Sequence, residues 1–144
     1  MAGACKLAKG LQMSLGIYPV FKTKQTSKFY CLGEGLARNF EVLDQIAVTA
    51  KLIPIMTFAD NREVPIGFEG DPDELAEIMG EWNDWFDSGV GRSAIRLFVD
   101  HIKNNPEAAQ QINDLEWIVE ELEELEMVLE VAEKKNIQFR LEMS

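Results

Sequence analysis

The stretch that decides the fold runs from Asn113 to Lys135 and reads NDLEWIVEELEELEMVLEVAEKK. Apolar residues recur in it at alternating spacings of three and four, the period that aligns side chains along one face of an α-helix. They are Leu115, Ile118, Leu122, Leu125, Leu129 and Ala132. Glutamates, Glu121 among them, fill most of the other positions. The pattern predicts a long amphipathic helix whose apolar face packs against the rest of the chain and whose acidic face meets water.

Three further helices are predicted before this one. Leu36 to Leu52 carries apolar residues at spacings of four and three, and Pro54 ends it. Asp71 can cap a second helix that carries Trp82 inward and ends near Asp87. The glycines around Val90 then read as a break before a third helix from Ser93 to Lys103.

Short runs rich in β-branched and aromatic residues predict strands on both sides of the helices. They are Ile17 to Lys22, Lys28 to Leu32, Ile55 to Ala59, Val64 to Phe68 and Ile137 to Met143. In the last run, apolar residues alternate with Gln138, Arg140 and Glu142, as in a strand with one buried face. The predicted fold class is therefore α+β, with a mainly antiparallel or mixed sheet of about four or five strands covered by about four helices.

The chain length of 144 residues and hydrophobic content of 47% match one globular domain. We expect residues 1–12, which show no clear period, to be a disordered leader, with Met13 as an alternative start and a single domain over 13–144. No apolar stretch approaches the roughly 20 residues of a membrane span, and no signal-peptide pattern is present. These features predict a cytoplasmic protein without a membrane association.

Charge is distributed unevenly over a net value of -11. Residues 1–59 contain seven bases and three acids, whereas residues 60–144 contain seven bases and 22 acids. Such an acidic surface disfavours nucleic acid as a partner. Two cysteines and one histidine are too few for a disulfide scaffold or a Cys/His zinc site, so no metal or cofactor is predicted.

The most distinctive composition lies between Glu81 and Asp87, where three aromatic residues stand among acids. Trp82 and Trp85 have the spacing of a buried helical stripe, and core packing is the simpler interpretation. If a ring stays exposed, the two tryptophans with Asp84 would form a ligand or partner surface, because tryptophan is frequent at binding hot spots.

Two other features could bind a ligand or partner. Gly89 to Ser93 precedes a predicted helix, so its backbone amides together with Arg92 could hold an anion, although an ordinary loop is the simpler interpretation. Glu120 and Glu124 belong to the acidic face of the last helix and could meet a basic partner, although a solvated face is the default.

No catalytic motif stands out, and the function hypothesis is a protein-interaction or regulatory module with a protein partner or a second copy of itself. A sharper version is an immunity-type inhibitor that presents carboxylates in place of phosphates. The alternative is a small-molecule binder or enzyme with a pocket between the sheet and the Trp82 helix. A contiguous exposed apolar patch would favour the module, whereas a deep cavity that holds His101, Arg92 or Cys31 together with a buried acid would favour the enzyme.

Overall fold

The structure, a computed structural model, describes residues 16–23, 33–62 and 69–143. The described elements are strand β1 (Ile17–Phe21), helix α1 (Glu34–Thr49), a 3-10 turn (Ile55–Phe58), helices α2 (Pro72–Met79), α3 (Ser88–Asn104), α4 (Pro106–Ala109) and α5 (Leu115–Lys134), and strand β2 (Phe139–Met143). The predicted α+β class and the long final helix followed by a strand are confirmed. The described sheet has two antiparallel strands, fewer than predicted. The leader and the strands predicted at 28–32 and 64–68 lie outside the described residues.

Helix α5 supplies the apolar face around which the core is built. Leu122, Leu125 and Leu129 are completely buried, as the three-four spacing predicted. The most extensive contact of α5 is with α3. The two helices run antiparallel. Arg92 near the start of α3 pairs with Glu133 near the end of α5, and Lys103 near the end of α3 pairs with Glu123 in the first half of α5. Among the described helices, none combines the length and the apolar character needed to cross a membrane.

Strand β2 has backbone partners along both of its edges. It pairs with β1 in a register that places Ile17 opposite Met143 and Phe21 opposite Phe139. On its other edge, the backbone of Phe139 exchanges hydrogen bonds of 2.8 and 2.9 Å with Phe86, and Leu141 forms a parallel bridge with Ala59. Phe139 and Leu141 are fully buried, which confirms the alternation predicted for this strand.

The strand predicted at Ile55 to Ala59 is wrong. Residues 55–58 form a 3-10 turn in which the N–H of Thr57 donates to the carbonyl of Pro54 at 3.0 Å, and only Ala59 makes a strand-like bridge. This apolar run is too short to show a period of two or of 3.6 residues. Its apolar character predicts burial correctly but does not distinguish a strand from a helical turn.

The boundary predicted between the second and third helices is also wrong. Helix α2 ends at Met79, and Gly80 follows with a positive φ of 73°, which favours glycine. Residues 81–87 are therefore not helical, and α3 begins at Ser88 instead of Ser93. Gly91 is inside α3, where an added Cβ would lie 2.4 Å from the ring of Phe139. The glycine permits close packing of a helix on the sheet, and does not mark a loop.

Candidate interaction site

The segment between α2 and α3 holds the two tryptophans around a single arginine. The guanidinium carbon of Arg140, on β2, lies 4.8 Å from the ring centroid of Trp82 and 4.4 Å from that of Trp85. Both distances are within the range of a cation–π contact. We call Trp82, Asp84, Trp85, Arg140 and Glu142 the tryptophan–arginine cluster. It forms because the bridge between Phe86 and Phe139 brings this segment beside β2.

Hydrogen bonds fix the geometry of this cluster. Arg140 donates from Nη1 to the carbonyl of Trp82 at 2.7 Å and from Nε to Glu142 at 3.0 Å. The indole N–H of Trp82 donates to Asp84 at 3.0 Å. Trp82, Asp84 and Trp85 thus lie close together, but in a segment without regular secondary structure instead of a helix. Both rings remain partly exposed, and Arg140 is also partly buried, with 19% of its side chain exposed.

A second arginine ties α2 to this part of the surface. Arg62 contacts Asp60 through two hydrogen bonds of 3.0 Å and donates to the carbonyl of Met79 at 3.0 Å, at the last residue of α2. The hydrogen bond from Arg62, helped by the charge of Arg140, lowers the pKa of Asp60. Asp60 therefore stays ionised and holds Arg62, which donates hydrogen bonds to carbonyl groups at the carboxyl end of α2.

The amino end of α3 already holds carboxylates of the chain itself. Asp87 accepts hydrogen bonds from the backbone of Gly89 at 2.7 Å and of Val90 at 3.0 Å. Arg92 donates to Glu133 at 2.6 Å, and this contact raises the pKa of Arg92. The backbone amides and the arginine that were predicted to hold an external anion therefore donate to carboxylates of the chain itself, as in an ordinary capped helix.

Beside this helix end lies an open apolar groove of about 470 Å³ between α3 and the segment after α1. We call it the α3 groove. Its apolar lining is Leu52, Ile53, Val90, Ala94 and Leu97, and its polar rim is Lys51, Asp87, Gly89, Ser93 and Glu133. Ile53, Val90 and Leu97 are 43%, 50% and 56% exposed. This is a contiguous apolar surface that contacts water.

Sequence reasoning missed the α3 groove because it started α3 too late. Val90, Ala94 and Leu97 are spaced by four and three residues, which is itself a helical apolar row. It lies beside the buried row that includes Ile95, Phe98 and Ile102. With Gly89 and Gly91 assigned to a loop, Val90 had no helical neighbours and the second row could not be recognised.

The glutamates of α5 differ in what surrounds them. Glu123, Glu126 and Glu133 face α3 and pair with its bases. The predicted partner residue Glu120 is exposed and Glu124 is partly buried. Glu121 was predicted to face water but is only 1% exposed, so that prediction is wrong.

Glu121 is buried against the amino end of α1. Its Oε1 accepts a hydrogen bond of 2.9 Å from the backbone N–H of Leu36. The side chain of Glu34 is buried nearby, and its Oε2 has no hydrogen-bond partner among the residues that the structure describes. Burial raises the pKa of Glu121 to about 7, although backbone hydrogen bonds from Leu36 and Gly35 oppose the rise. The indole of Trp117 also favours the charged form, but Trp117 Nε1 makes no hydrogen bond of good geometry within the described residues.

The groups that an enzyme interpretation would need lie in different places. His101 lines a shallow groove of about 270 Å³ between α1, α3 and α4, where Asn105 contacts its ring. Arg92 lies two to three turns away on the same helix, and the buried acid Glu121 caps α1. Within the described ranges, no three His, Cys, Asp or Glu side chains form a group suited to a metal ion.

Comparison of the chain with protein families, with curated proteins and with solved structures gives no match. The α3 groove and the tryptophan–arginine cluster are therefore interpreted from their own geometry.

Proposed function

We propose that this protein is a protein-interaction module that binds its partner through the α3 groove. The observation that carries the proposal is the contiguous exposure of Ile53, Val90 and Leu97 around one groove. Single exposed apolar side chains are ordinary on a protein surface, but a continuous set rimmed by polar groups is typical of an interaction site. Covering these side chains would remove apolar surface from water, which favours association.

The scaffold supports this role because one wall of the groove is a helix packed on the core. Helix α3 is held on its inner side by Ile95 and Phe98, which are buried, and Gly91 brings the helix close to the ring of Phe139. A partner would therefore meet side chains that are already in position, with little conformational entropy lost on binding. The tryptophan–arginine cluster offers a second preorganised contact, since tryptophan and arginine are frequent at hot spots.

The narrower hypothesis of an acidic inhibitor is favoured by how the bases are used. Of the seven bases in residues 60–144, five form intramolecular ion pairs: Arg62, Arg92, Arg96, Lys103 and Arg140. Exposed carboxylates such as Glu116 and Glu120 consequently dominate the field that a partner meets. A basic partner that normally binds phosphates would be bound competitively with nucleic acid under this hypothesis.

Site-directed photocrosslinking tests the proposed function. A photoreactive amino acid introduced at Val90 in the source cells should yield one defined protein adduct, whereas the same residue at Met127 should not. Met127 is a matched control because it is 62% exposed and lies on α5. Equal adduct patterns at both positions, or none at Val90, would contradict the α3 groove as the binding surface.

A further inference from the structure

We infer that the occupant of the α3 groove is a cationic amphipathic helix of another protein. The apolar side chains of this helix would cover Ile53, Val90 and Leu97, and a lysine or arginine near one end would meet Asp87 and Glu133. This inference rests on the proposed function and adds the chemistry of the partner.

The dimensions of the groove suit a helix. Val90 and Leu97 are seven residues apart on α3, which is about 10 Å along the helix axis. An incoming helix that lies along α3 would place apolar residues at i, i+3 or i+4, and i+7 over the same length. Ile53 supplies the opposite wall, so that the row would be held from two sides.

Two carboxylates converge at one end of the groove. The position that a Cβ would occupy on Gly89 is 2.7 Å from Glu133 Oε2 and 3.0 Å from Asp87 Oδ1. Arg92 donates to the other oxygen of Glu133. Asp87 accepts backbone N–H groups and forms no ion pair with the described bases, so one of the two carboxylates keeps a charge that no base of this part of the chain neutralises. Lys51 lines the groove on the segment that also carries Leu52 and Ile53, so positive charge on a partner is favoured at the Asp87 end.

The net charge of the protein also favours a cationic partner over a second copy of the chain. A second copy carries the same net charge of -11, and the repulsion between the two like-charged chains opposes their association at low salt. A cationic segment is instead attracted over a distance of about 10 Å at ordinary ionic strength. Long-range attraction and the local carboxylate pair therefore favour a basic partner over a second copy.

Fluorescence anisotropy with designed peptides tests this inference. The probe is a labelled helix-forming peptide of about 18 residues with a leucine row at i, i+3, i+4 and i+7 and lysines on the other face. One matched peptide replaces lysine by glutamate, and another replaces leucine by glutamine. We expect the lysine–leucine peptide to bind and both matched peptides to bind at least about tenfold more weakly.

Variants of the protein locate the binding. Leu97→Lys should weaken binding by about tenfold or more, whereas Met127→Lys, which adds the same charge elsewhere, should change it by less than about threefold. Asp87→Asn keeps a side chain able to cap α3 but removes its charge, so binding should weaken and depend less on salt.

Equal weakening by Leu97→Lys and Met127→Lys would overturn the inference, as would equal binding of the glutamate or glutamine peptide. A dimer in light scattering that Leu97→Lys converts to a monomer would assign the groove to a second copy. If the crosslink at Val90 leads to an acidic or extended partner segment, the proposed function stands and the cationic helix fails. If Val90 gives no specific crosslink, the proposed function itself fails.

Discussion

The carboxyl group of Glu121, near the middle of α5, accepts a hydrogen bond of 2.9 Å from the backbone N–H of Leu36 in the first turn of α1. The two residues are 85 positions apart in sequence. Gly33, which precedes α1, offers no side chain to cap it, so the cap comes from another helix. Gly35 leaves room for the carboxyl, because an added Cβ would lie 3.0 Å from Glu121 Oε1.

The burial of the Glu121 carboxyl predicts a stability that falls as pH rises. Burial raises the pKa of Glu121 from 4.5 to about 7 in the folded state, so between these values the folded protein binds more protons than the unfolded chain. The stabilisation is complete below pH 4.5 and is lost as pH rises through 7, by on the order of 3 kcal/mol. Urea unfolding at several pH values should show this loss in the wild type. Glu121→Gln should remove it, and parallel pH profiles would contradict the prediction.

Gly91→Ala should destabilise the protein through a clash in the core. The new Cβ would lie 2.4 Å from Cζ of the buried Phe139 ring, and overpacking of this kind costs about 1–3 kcal/mol. Gly89→Ala is the matched control, because its Cβ would meet the side-chain ends of Glu133 and Asp87 at the surface instead of a ring in the core. Thermal unfolding should show a clear drop for Gly91→Ala and a change within about 1 kcal/mol for Gly89→Ala. Similar losses in both would argue against close packing of α3 on Phe139.

Arg140→Lys should loosen the tryptophan–arginine cluster. Lysine keeps the charge but cannot stack as a plane between Trp82 and Trp85 while donating to the carbonyl of Trp82. We expect a loss of about 1–2 kcal/mol in unfolding free energy together with a change in tryptophan fluorescence. Arg96→Lys serves as the control, since Arg96 is exposed and its ion pairs are 3.5 and 3.6 Å long. An unchanged fluorescence spectrum in Arg140→Lys would refute the stacked arrangement.

The two faces of α5 should respond differently to truncation. Leu122→Ala removes a completely buried side chain and should cost about 2–5 kcal/mol. Met127→Ala removes a side chain that is 62% exposed and should change stability by less than about 0.5 kcal/mol. Chemical unfolding of the two variants measures both values. Comparable losses would mean that the apolar face of α5 is not the centre of the core.

Several features could be predicted because they depend on one segment alone. The spacing from Leu115 to Ala132 predicted α5, the carboxyl of Asp71 caps α2 through the N–H of Glu74, and the alternation around Leu141 predicted β2. In each case the backbone geometry of a helix or strand is written directly into the spacing or capping chemistry. Such signals need no knowledge of what lies opposite in space.

The tertiary structure decided what each ambiguous residue does. Glu121 lies three residues after Ile118 and four before Leu125, a spacing that would place it beside the apolar face, but its charge predicted a place on the acidic face. Only the tertiary structure shows that the N–H of Leu36, which has no partner within its own helix, donates to this carboxyl. From the sequence, Gly91 indicates a helix break. In the structure it is helical, and the ring of Phe139 occupies the space where a larger residue would place its side chain. Sequence spacing therefore determined which elements form and which faces are apolar. Contacts with distant segments determined the rest. They buried the carboxyl of Glu121 and placed Gly91 inside a helix, whereas Val90 and Leu97 are not covered in this way by the described residues and are 50% and 56% exposed.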